Sequence, residues 1–119
     1  MKDFRTLSVW QKSHDLTLFV YKETSSFPKE ELFGLTSQIR RASSSIGANI
    51  AEGCGRGSDG DFSRFLQIAF GSANELDFHL ILARDLLLID SENYQLLYER
   101  LYEIKKMLAS LIRKVQADR

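Results

Sequence analysis

The sequence predicts an all-α protein, an up-down-up-down antiparallel four-helix bundle, and three observations carry that expectation. Long segments place apolar residues at alternating three- and four-residue intervals, which gathers them on one helical stripe. No segment shows the period-two alternation of a strand. One proline and seven glycines interrupt 119 residues, and four of those glycines fall between Gly53 and Gly60. Long helices are therefore permitted almost everywhere else.

Phe4 to Thr24 reads as a first helix with a short lead-in, capped by Ser8. Val9, Leu16, Phe19 and Val20, with Trp10 nearby, supply its stripe. Ser25-Ser26-Phe27-Pro28 ends it. Pro28 suits the first turn of a second helix, with Glu30 and Glu31 at its positive end. The seam of that helix runs Leu32, Leu35, Ile39, Ala42, Ile46 and then either Asn49 or Ile50. Gly53 is expected to stop it. A loop from Gly53 to Gly60 follows, in which Ser58 and Asp61 resemble a capping box.

The third helix has the most regular pattern, with Phe62, Leu66, Ala69, Ala73, Leu76, Leu80, Ala83 and Leu87 in register. At about 28 residues it would be about 42 Å long. Asp90 or Ser91 restarts the chain as a fourth helix, whose seam is Tyr94, Leu97, Leu101, Ile104, Leu108, Leu111 and Val115. The length suits one domain spanning residues 1–119.

Composition narrows the function. Sixteen basic residues balance sixteen acidic ones, so no global field draws the protein to nucleic acid or an anionic membrane. The charges are nevertheless uneven. Lys105, Lys106, Arg113, Lys114 and Arg119 face only Asp118 at the C-terminal end. The single cysteine, Cys54, excludes an internal disulfide and a cysteine-based zinc cluster, which suits a reducing cytoplasm. No apolar run approaches the roughly 18 residues needed to span a membrane.

Catalytic and cofactor constellations find no support. Gly55-Arg56-Gly57-Ser58-Asp59-Gly60 matches G-x-G-x-x-G literally, but a helix precedes it where a dinucleotide site needs a strand. The same loop leads into a helix N-terminus that can hold an anion, with Arg56 and Arg64 near, although Asp59 and Asp61 would repel phosphate. His79 can approach Glu75 on one helical face, yet two ligands fall short of a structural metal site. Ser43–Ser45 has no His or Lys partner at a recognisable spacing. No cofactor, metal or catalytic residue is expected.

More apolar surface is present than one bundle needs. Phe65, Ile68, Phe70, Phe78, Ile81 and Leu82 lie outside the third helix's seam. Ser37, Ser44, Gly47, Ala48 and Ala51 give the second helix a face of small side chains. The expectation is self-association through these two helices. Asn49, beside the seam, and Glu52, in a last turn where its charge opposes the helix dipole, call for partners such as Arg40, Arg41 or Arg56. The candidate assembly residues are Ser44, Gly47, Ala48, Asn49, Glu52, Phe65, Phe70 and Phe78.

The runs Leu35-Thr36-Ser37-Gln38-Ile39-Arg40-Arg41-Ala42 and Ser45-Ile46-Gly47-Ala48-Asn49-Ile50-Ala51-Glu52-Gly53 resemble the four-helix-bundle family encoded by intervening sequences of bacterial large-subunit ribosomal RNA genes. Leu7 with Trp10 and Gln11, Phe27-Pro28 with Glu31, and Ala69 followed by Gly71-Ser72 and Glu75-Leu76 extend the match over nearly the whole chain. Gly47 departs from it, since the family often has proline there. The resemblance implies a homopentameric ring. The similar accessory protein of diversity-generating retroelements is a strongly basic pentamer that binds nucleic acid and partners a reverse transcriptase.

Two functions follow as expectations. The first is a non-enzymatic ring that binds RNA, DNA or a ribonucleoprotein through Arg40, Arg41, Arg56 and Arg64 around the loop and through Lys105, Lys106, Arg113 and Lys114. The second is an interaction scaffold with no nucleic-acid partner.

Overall fold

The computed structural model describes residues 2–118. Four helices follow one another, α1 (Ser8–Thr24), α2 (Leu35–Cys54), α3 (Asp59–Asp85) and α4 (Ser91–Ala117). Single 3-10 turns, Phe4–Thr6 and Lys29–Glu31, precede α1 and α2, and no strand occurs among the described residues. Each helix packs on its neighbours in the chain, α4 closes back on α1, and the diagonal pairs stay apart. Connections this short reverse direction at each step, giving the antiparallel bundle that the periodicity predicts. The body measures 46 × 23 × 20 Å, as helices of about 40 Å require.

The seams become the core. Leu16, Ile39, Ile46, Ile50, Leu66, Leu76, Leu97, Leu101, Ile104 and Leu108 are almost wholly buried. Between Asn49 and Ile50, it is Ile50 that faces inward, and Asn49 sits half-buried on the flank. Ser58 and Asp90 cap α3 and α4, their side chains accepting from the N–H groups of Asp61 and Asn93.

Four boundaries differ from expectation, each for a local reason. Ser8 is the first residue of α1 rather than its cap, because Leu7 holds the extended cap position, and Asp3 caps the lead-in turn instead. The second helix starts at Leu35 and not at Pro28. Pro28 is extended at ψ 145° and Gly34 breaks the path at φ −113°, ψ −112°, so residues 28–34 turn separately and Leu32 leaves the seam for solvent.

Gly53 does not stop α2, which runs on to Cys54. A Cβ at Gly53 would lie 2.9 Å from Phe65 Cβ and 3.0 Å from Phe62 Cδ1. The glycine is there to let α3 approach. The seam of α3 ends at Ala83, since Leu87 lies beyond the helix at φ 63° and Ile89 is buried in its place.

Small side chains hold α2 against both neighbours. Ser43 Oγ donates to Thr17 Oγ1 of α1 at 3.0 Å, and Ser45 and Ser72 pair across α2 and α3 at 2.9 Å. These hydroxyls satisfy one another where bulkier residues would force the helices apart. Gly47 passes through α2 without a break and leaves room for the Trp10 ring, whose Nε1 would be 3.4 Å from an added Cβ.

Candidate assembly and nucleic-acid surfaces

The eight cations singled out from the sequence do not form one patch. About 20 Å of helix axis separates Arg41 from the end of α2 at Cys54, and Arg56 follows in the loop beyond it. Arg40 is committed to the fold. Its Nε donates to Thr24 Oγ1 at 2.9 Å, its Nη2 to the Tyr21 carbonyl at 3.3 Å, and its guanidinium lies over the Tyr21 ring.

The loop arginines are matched by carboxylates. Arg56 lies 3.9 Å from Glu52 and 3.7 Å from Asp61, and Arg64 lies 3.6 Å from Asp61. Both guanidinium groups also rest on Phe65. Lys105 donates to Asp77 at 3.0 Å in a mostly buried pair between α3 and α4. That leaves Arg41, Lys106, Arg113 and Lys114 without a carboxylate partner among the described residues. Arg119 lies outside those residues.

The polar corner of α2 is satisfied within the chain. Asn49 Nδ2 donates to the Ser45 carbonyl at 2.8 Å and to Ser45 Oγ at 3.0 Å. Glu52 finds Arg56 rather than Arg40 or Arg41. The outward stripe of α2 then reads Arg41, Ser44, Ala48 and Glu52, all exposed, with shallow grooves on both flanks. One groove has an aromatic wall of Phe4, Trp10 and His14 above Ser44, Gly47 and Ala48. Trp10 and His14 stack there at 5.0 Å.

The apolar surplus of α3 divides in two. Phe70 is half-buried against the core and Phe65 is half-buried under Arg56 and Arg64, whereas Phe78 is 60% exposed with Ile81 and Leu82 exposed beside it, and Ile68 is exposed nearer the start of α3. Phe78 is therefore the largest apolar group that α3 presents to solvent.

A column of tyrosines had escaped sequence reasoning. Tyr94, Tyr98 and Tyr102 stack at 6.2 and 5.9 Å on α4. Arg84 covers one end and Lys106 the other. The signal was a four-residue repeat of tyrosine that starts at Tyr94, already named in the seam, and continues outside it at Tyr98 and Tyr102, where the regular leucines drew attention inward.

Two candidates for chemistry are enclosed. Cys54 is buried, and burial raises its thiol above the ordinary value, with Lys2 opposing and Asp3 reinforcing that shift. A neutral thiol is a poor nucleophile. His79 is also buried, and its Nε2 lies 3.5 Å from Glu75 Oε2. No group of three metal-ligating side chains occurs among the described residues, and no described helix is long and apolar enough to cross a membrane.

Comparison with known proteins agrees with the fold and the resemblance. A protein of unknown function from the S23 ribosomal protein family of Bacteroides thetaiotaomicron VPI-5482, solved as a crystal structure, superposes with a TM-score of 0.79. It is 34% identical, and the match covers 87% of this chain and 97% of that one. None of the curated proteins matches. The family model described as 23S rRNA-intervening sequence protein matches residues 5–110. The chain thus belongs to the 23S rRNA-intervening sequence protein family.

Proposed function

We propose that the protein is a non-enzymatic, self-assembling helical scaffold, a homo-oligomer built through α2 and α3. The observation that carries this reading is the outward face of α3, where Phe78 is 60% exposed and Ile81 and Leu82, one turn on, are exposed beside it. Clustered apolar groups of this size mark interfaces. The small stripe of α2 supplies a surface that a neighbouring helix can approach closely. A face of one kind meeting a face of another is a heterologous contact, which closes into a ring when its rotation divides the circle and otherwise extends as a filament. Five copies is the number that the family resemblance implies.

Phe78→Glu tests it. Light scattering of the variant should show dissociation to the 13.6 kDa chain with the helical circular dichroism unchanged, because Phe78 is outside the core. An oligomer indifferent to Phe78→Glu would refute the α3 contact.

The tyrosine column favours a second reading, in which the assembled protein binds RNA, DNA or a ribonucleoprotein. Stacked aromatic rings beside unpaired cations are the elements of single-strand binding, and here Tyr94, Tyr98 and Tyr102 lead toward Lys106 and Arg113. Such binding weakens steeply with salt. A mobility-shift assay at low salt should detect it, and Lys106→Glu with Arg113→Glu should abolish it. Failure of the wild type to shift either RNA or DNA would end this reading and leave the scaffold intact.

A further inference from the structure

The flank where α4 closes back on α1 takes no part in the contact proposed through α2 and α3, and it carries a groove of its own. The start of α1 and the later turns of α4 enclose about 610 Å³, with Leu7, Val9, Met107 and Leu111 as an aliphatic floor. Val9 is buried, while the other three are half-buried and keep part of their surface open to water. The hydroxyls of Ser8 and Ser110 stand at the exposed edge. No aromatic ring belongs to the lining.

The net charge around this groove is positive. Lys106 and Lys114 line it, both exposed, and neither has a carboxylate partner among the described residues. Lys106 rests over the Tyr102 ring, which leaves its ammonium charge in place. Glu103 is the one acid in the lining, and Lys12 engages it at 2.6 Å. From Ile104 to Ala117, α4 holds Lys105, Lys106, Arg113 and Lys114 and no acid, and of these only Lys105 is matched, by Asp77. The start of α1 adds to the field. Its first turn has no acidic side chain and no side-chain cap, so the N–H groups there present the positive end of the helix dipole beside Leu7 and Ser8.

An aliphatic floor under ammonium groups suits a different ligand from the tyrosine column. Bases need rings to stack on, and the groove has none. Lys106 and Lys114 stand eight residues apart, about 12 Å along the axis, with Met107 and Leu111 between them on α4. That arrangement matches a linear apolar chain with an anionic end.

We propose that the groove between α1 and α4 binds a long-chain carboxylate, its hydrocarbon lying along Leu7, Val9, Met107 and Leu111 and its carboxylate held by the lysines of the rim. Burial of the chain supplies most of the affinity, and the charge selects the class of amphiphile that enters. The site shares no residue with the α2 and α3 faces, so it stands or falls separately from the self-association proposed above.

Laurate titrated into the full chain below its micellar concentration, followed by amide NMR, tests the site. Shifts should gather at Leu7, Val9, Met107 and Leu111 and pass over Phe78. Uncharged dodecanol should bind at least about tenfold more weakly. A Lys106→Glu, Lys114→Glu variant should lose about tenfold or more in laurate affinity with its thermal midpoint unchanged, since both lysines are exposed. Ser110→Phe, at another exposed position, should fill the groove and abolish the laurate response. Absence of shifts at the groove, equal binding of dodecanol, or wild-type binding by Ser110→Phe would each overturn the site. A groove that ignores laurate but responds to phosphatidylglycerol vesicles or to polyglutamate would overturn it too, giving the surface to a bilayer or to an acidic protein segment.

Discussion

Gly53, Cys54 and Glu103 show how single residues act in this bundle. A methyl group at Gly53 would press on Phe62 and Phe65, and the backbones of α2 and α3 resist separation because Ser45 and Ser72 bond across them. Gly53→Ala should therefore destabilise the fold by about 1–3 kcal/mol in urea titration, despite alanine's better helix propensity. An equal or more stable variant would show that the helices yield there. Cys54 should react with a thiol reagent only as fast as the protein opens, since its thiol is buried and held in the neutral form. Glu103 titrates below the ordinary carboxylate range because Lys12 donates to it. With its folded value lowered, the pair contributes above the unfolded value and is lost as pH falls through the folded one. Lys12→Gln should return Glu103 to the ordinary range when followed by NMR, with little change in stability for so exposed a pair.

At the scale of elements, the seams of α2, α3 and α4 were legible because a four-helix core needs one stripe per helix and the sequence spells these mostly in leucine, isoleucine and alanine, whereas the stripe of α1 includes the polar Ser13 and Thr24. The ends were less so. Pro28 with two glutamates satisfies every local rule for a helix start, but Gly34 interrupts the path, and only the tertiary route of the connection shows that. Leu87 kept the period of α3 and yet lies past its end, because the Schellman hydrogen bonds close the helix without the glycine that would have signalled it. The glycine in α2 misled in the opposite sense, as it serves packing and not termination. Caps were easier to read. Ser58→Ala should cost about 1 kcal/mol by thermal or chemical unfolding, and Asp90→Ala should cost a similar amount. No change in either would mean that water replaces these caps fully.

The candidate surfaces were legible only in part, and the reason is pairing. A sequence lists cations but not their neighbours, so Arg40, Arg56, Arg64 and Lys105 looked available, whereas each is held by a carboxylate, a carbonyl or a ring. The excess apolar character of α3 was visible in sequence, and the structure sorts it into flanks of the core and a solvent-facing group centred on Phe78. Whole-molecule behaviour follows from what stays uncovered. A zero net charge, a small-residue stripe on α2 and an apolar α3 face are the features on which the proposed self-assembly rests. The most direct measurement is the mass of the full chain by light scattering at micromolar concentration. Self-assembly through α2 and α3 predicts a stable species several times 13.6 kDa, and a species of 13.6 kDa throughout the concentration range would contradict it.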